Sequence, residues 1–250
     1  MRTAKTVLTV IQERGKQKKP IERVYKLLFN RELYLNAYAK LYPNNGAMTK
    51  GVTDETVDGM SIQKIDRMIE ILREEKYQWK PARREYIKKK NGKKRPLGIP
   101  VWGDKVLQEV MRQILEAYYE PQFSEHSHGF RPNRGCHTAL QEIQVWKGTR
   151  WFIEGDISQY FDTIDHKILL EILARNIHDG RFIRLVSNML EAGYLEEWKF
   201  NQTISGVPQG GVISPILANI YLNEFDNWIE EVLIPKYLSL IHISEPTRRS

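Results

Sequence analysis

Residues 150–166, RWFIEGDISQYFDTIDH, set an apolar, aromatic run directly before a carboxylate. Trp151, Phe152 and Ile153 predict a buried strand, and Gly155 leads from it into Asp156. Ile157, the pair Tyr160 and Phe161, and the further acids Asp162 and Asp165 follow at once. An ionised carboxylate where a sheet meets its core is costly unless a cation or hydrogen bonds compensate it. Asp156 therefore needs either a metal ion or structural partners. Asp165 reads as the N-cap of a helix beginning at His166, and Asp162 as a turn residue.

The remaining pattern mixes helices with short strands. Residues 21–42 give a Leu- and Tyr-rich helical pattern stopped by Pro43, and a polar loop runs from Asn44 to Gly59. Ser61 can cap a helix carrying Ile62, Ile65, Met68, Ile69 and Leu72 on one face. The tract RPLGIP reads as a strand bounded by prolines, and Asp104 as the cap of a helix whose stripe runs from Leu107 to Tyr118. A short helix near 137–147 precedes the Asp156 strand. Helices near 165–176 and 180–191 lead to strand-like residues around Trp198 and Phe200. The last helix has Ser214 at its N-cap, Pro215 at its first position and an apolar stripe from Ile216 to Leu233. The expectation is an α+β fold, helix-rich with short antiparallel strands.

The charge is unevenly placed. Residues 80–95, KPARREYIKKKNGKKR, hold nine basic residues against Glu85 alone, in a chain whose net charge is +7. Tyr86, Ile87 and the Asn91-Gly92 turn signal make this stretch a β-hairpin, suited to a phosphate backbone or else simply solvated. The single cysteine, Cys136, excludes a disulfide framework. No apolar run approaches the roughly 20 residues that span a bilayer, so no membrane partner is expected. The first twenty residues lack a hydrophobic signal core, although an organelle presequence stays open.

A strand-end aspartate beside a basic hairpin suggests phosphate chemistry with bound divalent cations. Mg²⁺ takes oxygen ligands, and one or two carboxylates plus substrate phosphates suffice to hold it. On composition alone, a cap or salt-bridge role for Asp156 remains the commoner explanation.

Five tracts occur in order: NNGAMTKGVTDETVDGMS, KKKNGKKRPLGIP, HGFRPNRGCHTAL, GDISQYFDTIDH and SGVPQGGVISPILANIYL. Together they resemble the successive blocks of group II intron reverse transcriptases, the intron-encoded maturases, from about Val24 to Tyr237. The resemblance implies right-hand polymerase fingers and a partial palm, copying RNA into DNA with two Mg²⁺ ions. Asp156 then matches the first metal-binding aspartate, with the backbone carbonyl of Ile157 as a further ligand. Phe161 matches the aromatic gate beneath the incoming sugar, where a flat ring excludes a 2′-hydroxyl. Arg95 and Lys88 or Lys89 match the residues gripping the triphosphate, and Gln209 a residue beside the incoming nucleotide. Lys90, Lys93, Lys94, Arg131 and Arg134 are expected on the RNA or template, a surface salt bridge being the alternative for the two arginines. His126, His128, Cys136 and His137 fit no common zinc spacing, and the matching block carries no metal.

The resemblance also implies divisions: residues 1–60 as an N-terminal extension and family block, 61–148 as fingers, and 149–237 as partial palm. Residues 238–250 look foreign to the family. Its second acidic motif, Tyr-x-Asp-Asp, is missing, since no Asp-Asp pair occurs. The expectation is an amino-terminal fragment that cannot polymerise by itself. Expected partners are group II intron RNA, an RNA template with a DNA primer, and deoxynucleoside triphosphates. The expected setting is a bacterial cytoplasm or an organelle. The alternatives are an RNA-binding splicing maturase without polymerase activity, and a free-standing relative in host defence or repair.

Overall fold

Helix α4 (Trp102–Tyr119) organises the molecule, because twelve of its eighteen residues are buried. Val106, Leu107, Val110, Met111, Ile114, Leu115 and Tyr118 are completely excluded from solvent. Burial of each such side chain stabilises by roughly 1.5–3 kcal/mol. The computed structural model describes residues 2–44, 46–88, 92, 94–147, 154–197, 199–207 and 210–237.

Helices α1 (Ala4–Lys16) and α2 (Arg31–Leu41) pack on α4, while α3 (Ile62–Arg73) joins α2 and a 3₁₀ turn at Val24–Phe29. The Thr3, Asn30 and Ser61 side chains accept from the backbone N–H groups of Thr6, Glu32 and Lys64, capping these three helices. The cap expected at Ser61 is therefore present. Helix α1 was not anticipated by the sequence reading, although Ala4, Val7, Leu8 and Ile11 follow helical spacing behind Thr3. The expected helix over 21–42 is broken: a two-residue strand and the 3₁₀ turn precede α2.

Strands β2 (Ala82–Lys88) and β3 (Lys94–Ile99) form the expected basic hairpin, in register from Arg83↔Ile99 to Lys88↔Lys94. They belong to a four-stranded sheet of order β3-β2-β5-β6, with β5 (Tyr194–Glu196) antiparallel to β6 (Lys199–Asn201). The β2–β5 pairing is parallel, as is a small second sheet joining β1 (Ile21–Glu22) to β4 (Ile177–His178). Around that second sheet, Tyr25 N–H donates to Asp179 Oδ2 at 2.9 Å and the Arg181 guanidinium lies 5.1 Å from the Tyr25 ring centre. This ties the N-terminal segment to a region more than 150 residues later.

Helices α5 (Cys136–Gln144), α6 (Tyr160–Thr163), α7 (His166–Asn176), α8 (Gly180–Leu190) and α9 (Ser214–Trp228) complete the fold. Asp165 caps α7 as expected, accepting from Ile168 N–H at 3.0 Å. Asp104 does not cap α4. The helix opens at Trp102, and the Asp104 carboxylate instead accepts from Tyr77 Oη at 2.6 Å and Lys80 N–H at 3.0 Å. Helix α9 begins at Ser214 rather than after it, and continues through a π-helical turn at Ile229–Leu233. Its stripe divides: Ile216, Leu217 and Ile220 are buried, whereas Phe225, Trp228 and Val232 are about half exposed.

Candidate active site

Four of the sequence blocks meet through direct contacts. Val207 N–H donates to the Phe161 carbonyl at 2.7 Å, and Gly206 N–H to the Ile164 carbonyl at 2.8 Å. Gly206 has φ +87°, and a Cβ there would lie 2.8 Å from the Phe161 carbonyl oxygen. Only glycine lets these two segments approach so closely. Gly210, with φ +103°, likewise abuts the hairpin, where a Cβ would lie 2.6 Å from the Gly98 carbonyl oxygen. The Phe130 ring of HGFRPNRG sits edge-on to Phe161, with centroids 6.2 Å apart, and Asn219 donates to the Gly129 carbonyl at 2.8 Å.

Further bonds fix this junction to the core. Buried Gln108, on α4, accepts from Val212 N–H at 2.9 Å, just past the Pro-Gln-Gly-Gly turn. Tyr160 Oη donates to the Ala218 carbonyl at 2.7 Å, and burial pushes the pKa of that hydroxyl well above its usual value, keeping it protonated. A cavity of about 380 Å³ opens beside the junction, bounded by Arg84, Pro96 and Gly98 of the hairpin and by Gln159 and Asp162. The Arg84 guanidinium stacks 3.4 Å from the Tyr194 ring centre, holding that hairpin face to β5.

The expected site residues fall unevenly. Phe161 is half-buried in α6 and packed against the core. Asp156 is exposed, not buried, and residues 154–157 form neither helix nor strand. Among the described residues, no strand pairs with them. Trp151, Phe152 and Ile153, the expected strand, lie outside the described residues, as do Lys89, Lys90, Lys93 and Gln209. Ile157 is 53% exposed. On the hairpin, Lys88 and Lys94 are cross-strand partners on one face, while Arg95 pairs with Ile87 on the other. A ligand gripped by both Lys88 and Arg95 must therefore reach around the ribbon.

The two arginines of FRPNRG are less available than their sequence suggests. Arg131 is only 7% exposed; its guanidinium bonds Glu120 and the carbonyls of Ser124 and Ser127, and lies 5.4 Å from the Phe123 ring centre. The turn it braces encloses the guanidinium, which pairs with Glu120 below the surface. Arg134 pairs with Glu125, holding that carboxyl below its usual range. His126 and His128 both bond Glu142, which holds its carboxyl below the usual range, while Cys136 and His137 are exposed.

The reverse transcriptase (RNA-dependent DNA polymerase) family profile matches residues 87–243, more than half of the chain. This chain belongs to the reverse transcriptase family. It is 51% identical over 209 residues to the group II intron-encoded protein LtrA of Lactococcus lactis subsp. cremoris, covering 83% of this chain and 35% of that protein. A 91 kDa protein in the cob intron of Schizosaccharomyces pombe is 47% identical over 92% of this chain and 29% of its own length. Protein YkfC of Escherichia coli is 40% identical over 88% of this chain and 59% of its own length. A chain of a solved partial Cas6-RT-Cas1–Cas2 complex superposes with a TM-score of 0.55 at 20% identity, covering 83% of this chain and 35% of that one. This supports the fingers-and-palm fold. The chain thus spans about a third of the Lactococcus relative.

Reverse transcriptases as a family depend on divalent metal. Among the described residues of this reverse transcriptase chain, no three His, Cys, Asp or Glu side chains converge into one cluster. Asp165 is spent as a cap, and Asp162 already has a partner. Asp156 with the Ile157 carbonyl does not by itself fit a two-metal centre.

Sequence reasoning missed Gln108, Gly206 and Gly210 as supports of the site. A polar residue inside the apolar stripe of α4 was the available signal for Gln108. It also missed a second basic region: residues 2–42 carry ten Lys or Arg against three Glu, an excess cancelled in the total by the acidic remainder.

Proposed function

We propose that this chain supplies the fingers and first part of the palm of a group II intron-encoded reverse transcriptase. The complete protein copies an RNA template from a DNA primer using deoxynucleoside triphosphates, and assists splicing of its own intron RNA. The observation that carries the reading is the junction at Phe161. There two backbone hydrogen bonds and the Gly206 contact join the Phe161 segment to Gly206 and Val207, the Gly210 contact brings in the hairpin, and the edge-on Phe130 ring brings in the FRPNRG turn. A Phe161 ring fixed in this way can exclude a 2′-hydroxyl, whereas a loose ring would swing aside. Asp156 and the Ile157 carbonyl would supply one side of a Mg²⁺ site, and further carboxylates would have to come from elsewhere in the complete protein. On this reading the divisions are 1–60, 61–148 and 149–237. Lys88, Lys94 and Arg95, with sequence neighbours Lys89, Lys90 and Lys93, face nucleic acid or the triphosphate, and Gln209 lies beside the nucleotide. The Lactococcus relative supports a bacterial cytoplasmic setting, and the Arabidopsis relative, Nuclear intron maturase 1, mitochondrial, an organelle.

The exposed Asp156, which belongs to no cluster of three His, Cys, Asp or Glu side chains among the described residues, also suits a second reading: an RNA-binding maturase that does not polymerise. Primer extension separates the two. In a protein completed to the length of its relatives, extension on an RNA template should require Mg²⁺ and disappear in Asp156→Ala. In the same protein Phe161→Ala should incorporate ribonucleotides at least about tenfold more readily. A completed protein that splices but never extends a primer would establish the maturase reading instead.

A further inference from the structure

A second cavity, of about 550 Å³, lies among residues 55–80 and the start of α4 and shares no lining residue with the one beside Asp162. Met60, Met68 and Ile71 line it together with the aromatic rings of Tyr77 and Trp102. Four cations, Lys64, Arg67, Lys76 and Lys80, also line it, against the acids Glu55 and Asp104. Neither acid is free. Lys64 Nζ is 3.8 Å from Glu55, and both Asp104 oxygens accept the bonds already described from Tyr77 and Lys80. Lys76 pairs with Glu74; Arg67 and Lys80 make no ion pair within 4 Å among the described residues, although the Lys80 charge is felt by Asp104.

One of the residues lining this cavity carries an unexplained polar atom. Trp102 is 3% exposed, and its indole N–H has no hydrogen-bond partner among the described residues. A buried donor left unpaired is unfavourable, and a ligand acceptor would relieve it. The cavity thus offers aromatic rings and thioethers for a flat body, a lining residue with an unpaired donor, and exposed cations for phosphate. Its volume lies in the range of sites that enclose small ligands.

We propose that this cleft holds one unstacked nucleotide of single-stranded RNA, its base against Trp102 and Tyr77 and its phosphates on Arg67 and Lys80. The inference rests on the RNA-binding part of the function proposed above. The same chemistry would accept a free nucleoside monophosphate, and an acidic peptide would satisfy the cations but not the flat recess and the indole donor.

Photocrosslinking the whole chain to a thiouridine-substituted single-stranded oligoribonucleotide, with mass-spectrometric mapping, tests the proposal. Crosslinks are expected on peptides containing Met60, Met68, Tyr77 or Trp102, separate from any on the hairpin. The double variant Arg67→Gln/Lys80→Gln, at exposed positions, should lower cleft crosslinking about tenfold and leave hairpin crosslinks in place. Trp102→Phe should lower it several-fold while the circular dichroism spectrum is retained. Binding of RNA with crosslinks only on the hairpin, or cleft crosslinks unmoved by the double variant, overturns the proposal. If the strand does not bind at all, saturation-transfer NMR with uridine monophosphate decides. Transfer abolished by the double variant supports a cleft for free nucleotides, and no transfer overturns it. Cleft crosslinking in a completed protein that extends no primer would sink the polymerase reading and leave this one standing.

Discussion

Helix α4 and the Asp156 segment are opposites within one chain. The helix is buried on most of its surface and carries the core, whereas residues 154–159 are exposed and belong to no regular element. What fixes the segment begins only at Tyr160 and Phe161, which hang from the α9 backbone and from Val207. The contrast separates two tasks. Stability resides in contacts that Asp156 does not make, and the chemistry expected of Asp156 draws on groups that α4 does not provide.

The largest expected effect tests that separation directly. Leu107→Ala should cost about 3 kcal/mol in urea denaturation, by losing a fully buried side chain and leaving a cavity. Asp156→Ala should stay within about 0.5 kcal/mol of the parent. If the two variants lose comparable stability, Asp156 has structural partners and the contrast fails.

A second test sets a core carboxylate against the solvent-facing one. Burial pushes Asp104 up to about 6 from 3.8, despite the bonds from Tyr77 and Lys80 that favour its charged form. The folded state therefore holds this proton more tightly than the unfolded chain. Its contribution is fully present below about pH 4, fades as pH rises, and is lost above about pH 6, a change of up to roughly 3 kcal/mol. Stability measured across that window should decline more steeply in the parent than in Asp104→Asn. Equal slopes would mean that Asp104 is not shielded as the structure places it.

The smallest effect lies where the two regions meet. Gln108→Leu should cost about 1–2 kcal/mol, because Val212 N–H loses its acceptor. Amide exchange at Val212 should quicken while exchange in the middle of α4 stays slow. Uniform quickening along α4 would show that the turn and the helix open as one unit.

Much of this fold was legible because helical periodicity and capping act locally. Ser61 and Asp165 cap where their side chains suggest, and the hairpin follows from Asn91-Gly92 between strand-forming residues. What was misread depends on distant partners. Asp104 looked like a cap until Tyr77 and Lys80 supplied its bonds, and Arg131 looked exposed until Glu120 and two carbonyls enclosed it. The strand expected at 151–153 lies outside the described residues. The site residues came from motif resemblance. Their supports, Gln108, Gly206 and Gly210, depend on contacts between blocks that no single stretch of sequence displays.

The small parallel pairing of Ile21 with Ile177, and the bond from Tyr25 to Asp179, also impose an order in time. A ribosome adds about 5–20 residues per second, so the N-terminal segment waits roughly eight to thirty seconds for a partner 154 positions downstream. During that interval Ile21, Val24 and Tyr25, all buried in the finished protein, lack the surface that covers them. The nascent chain therefore presents a basic, apolar N-terminus to the cell before its fold can close, a natural point of capture for chaperones during synthesis.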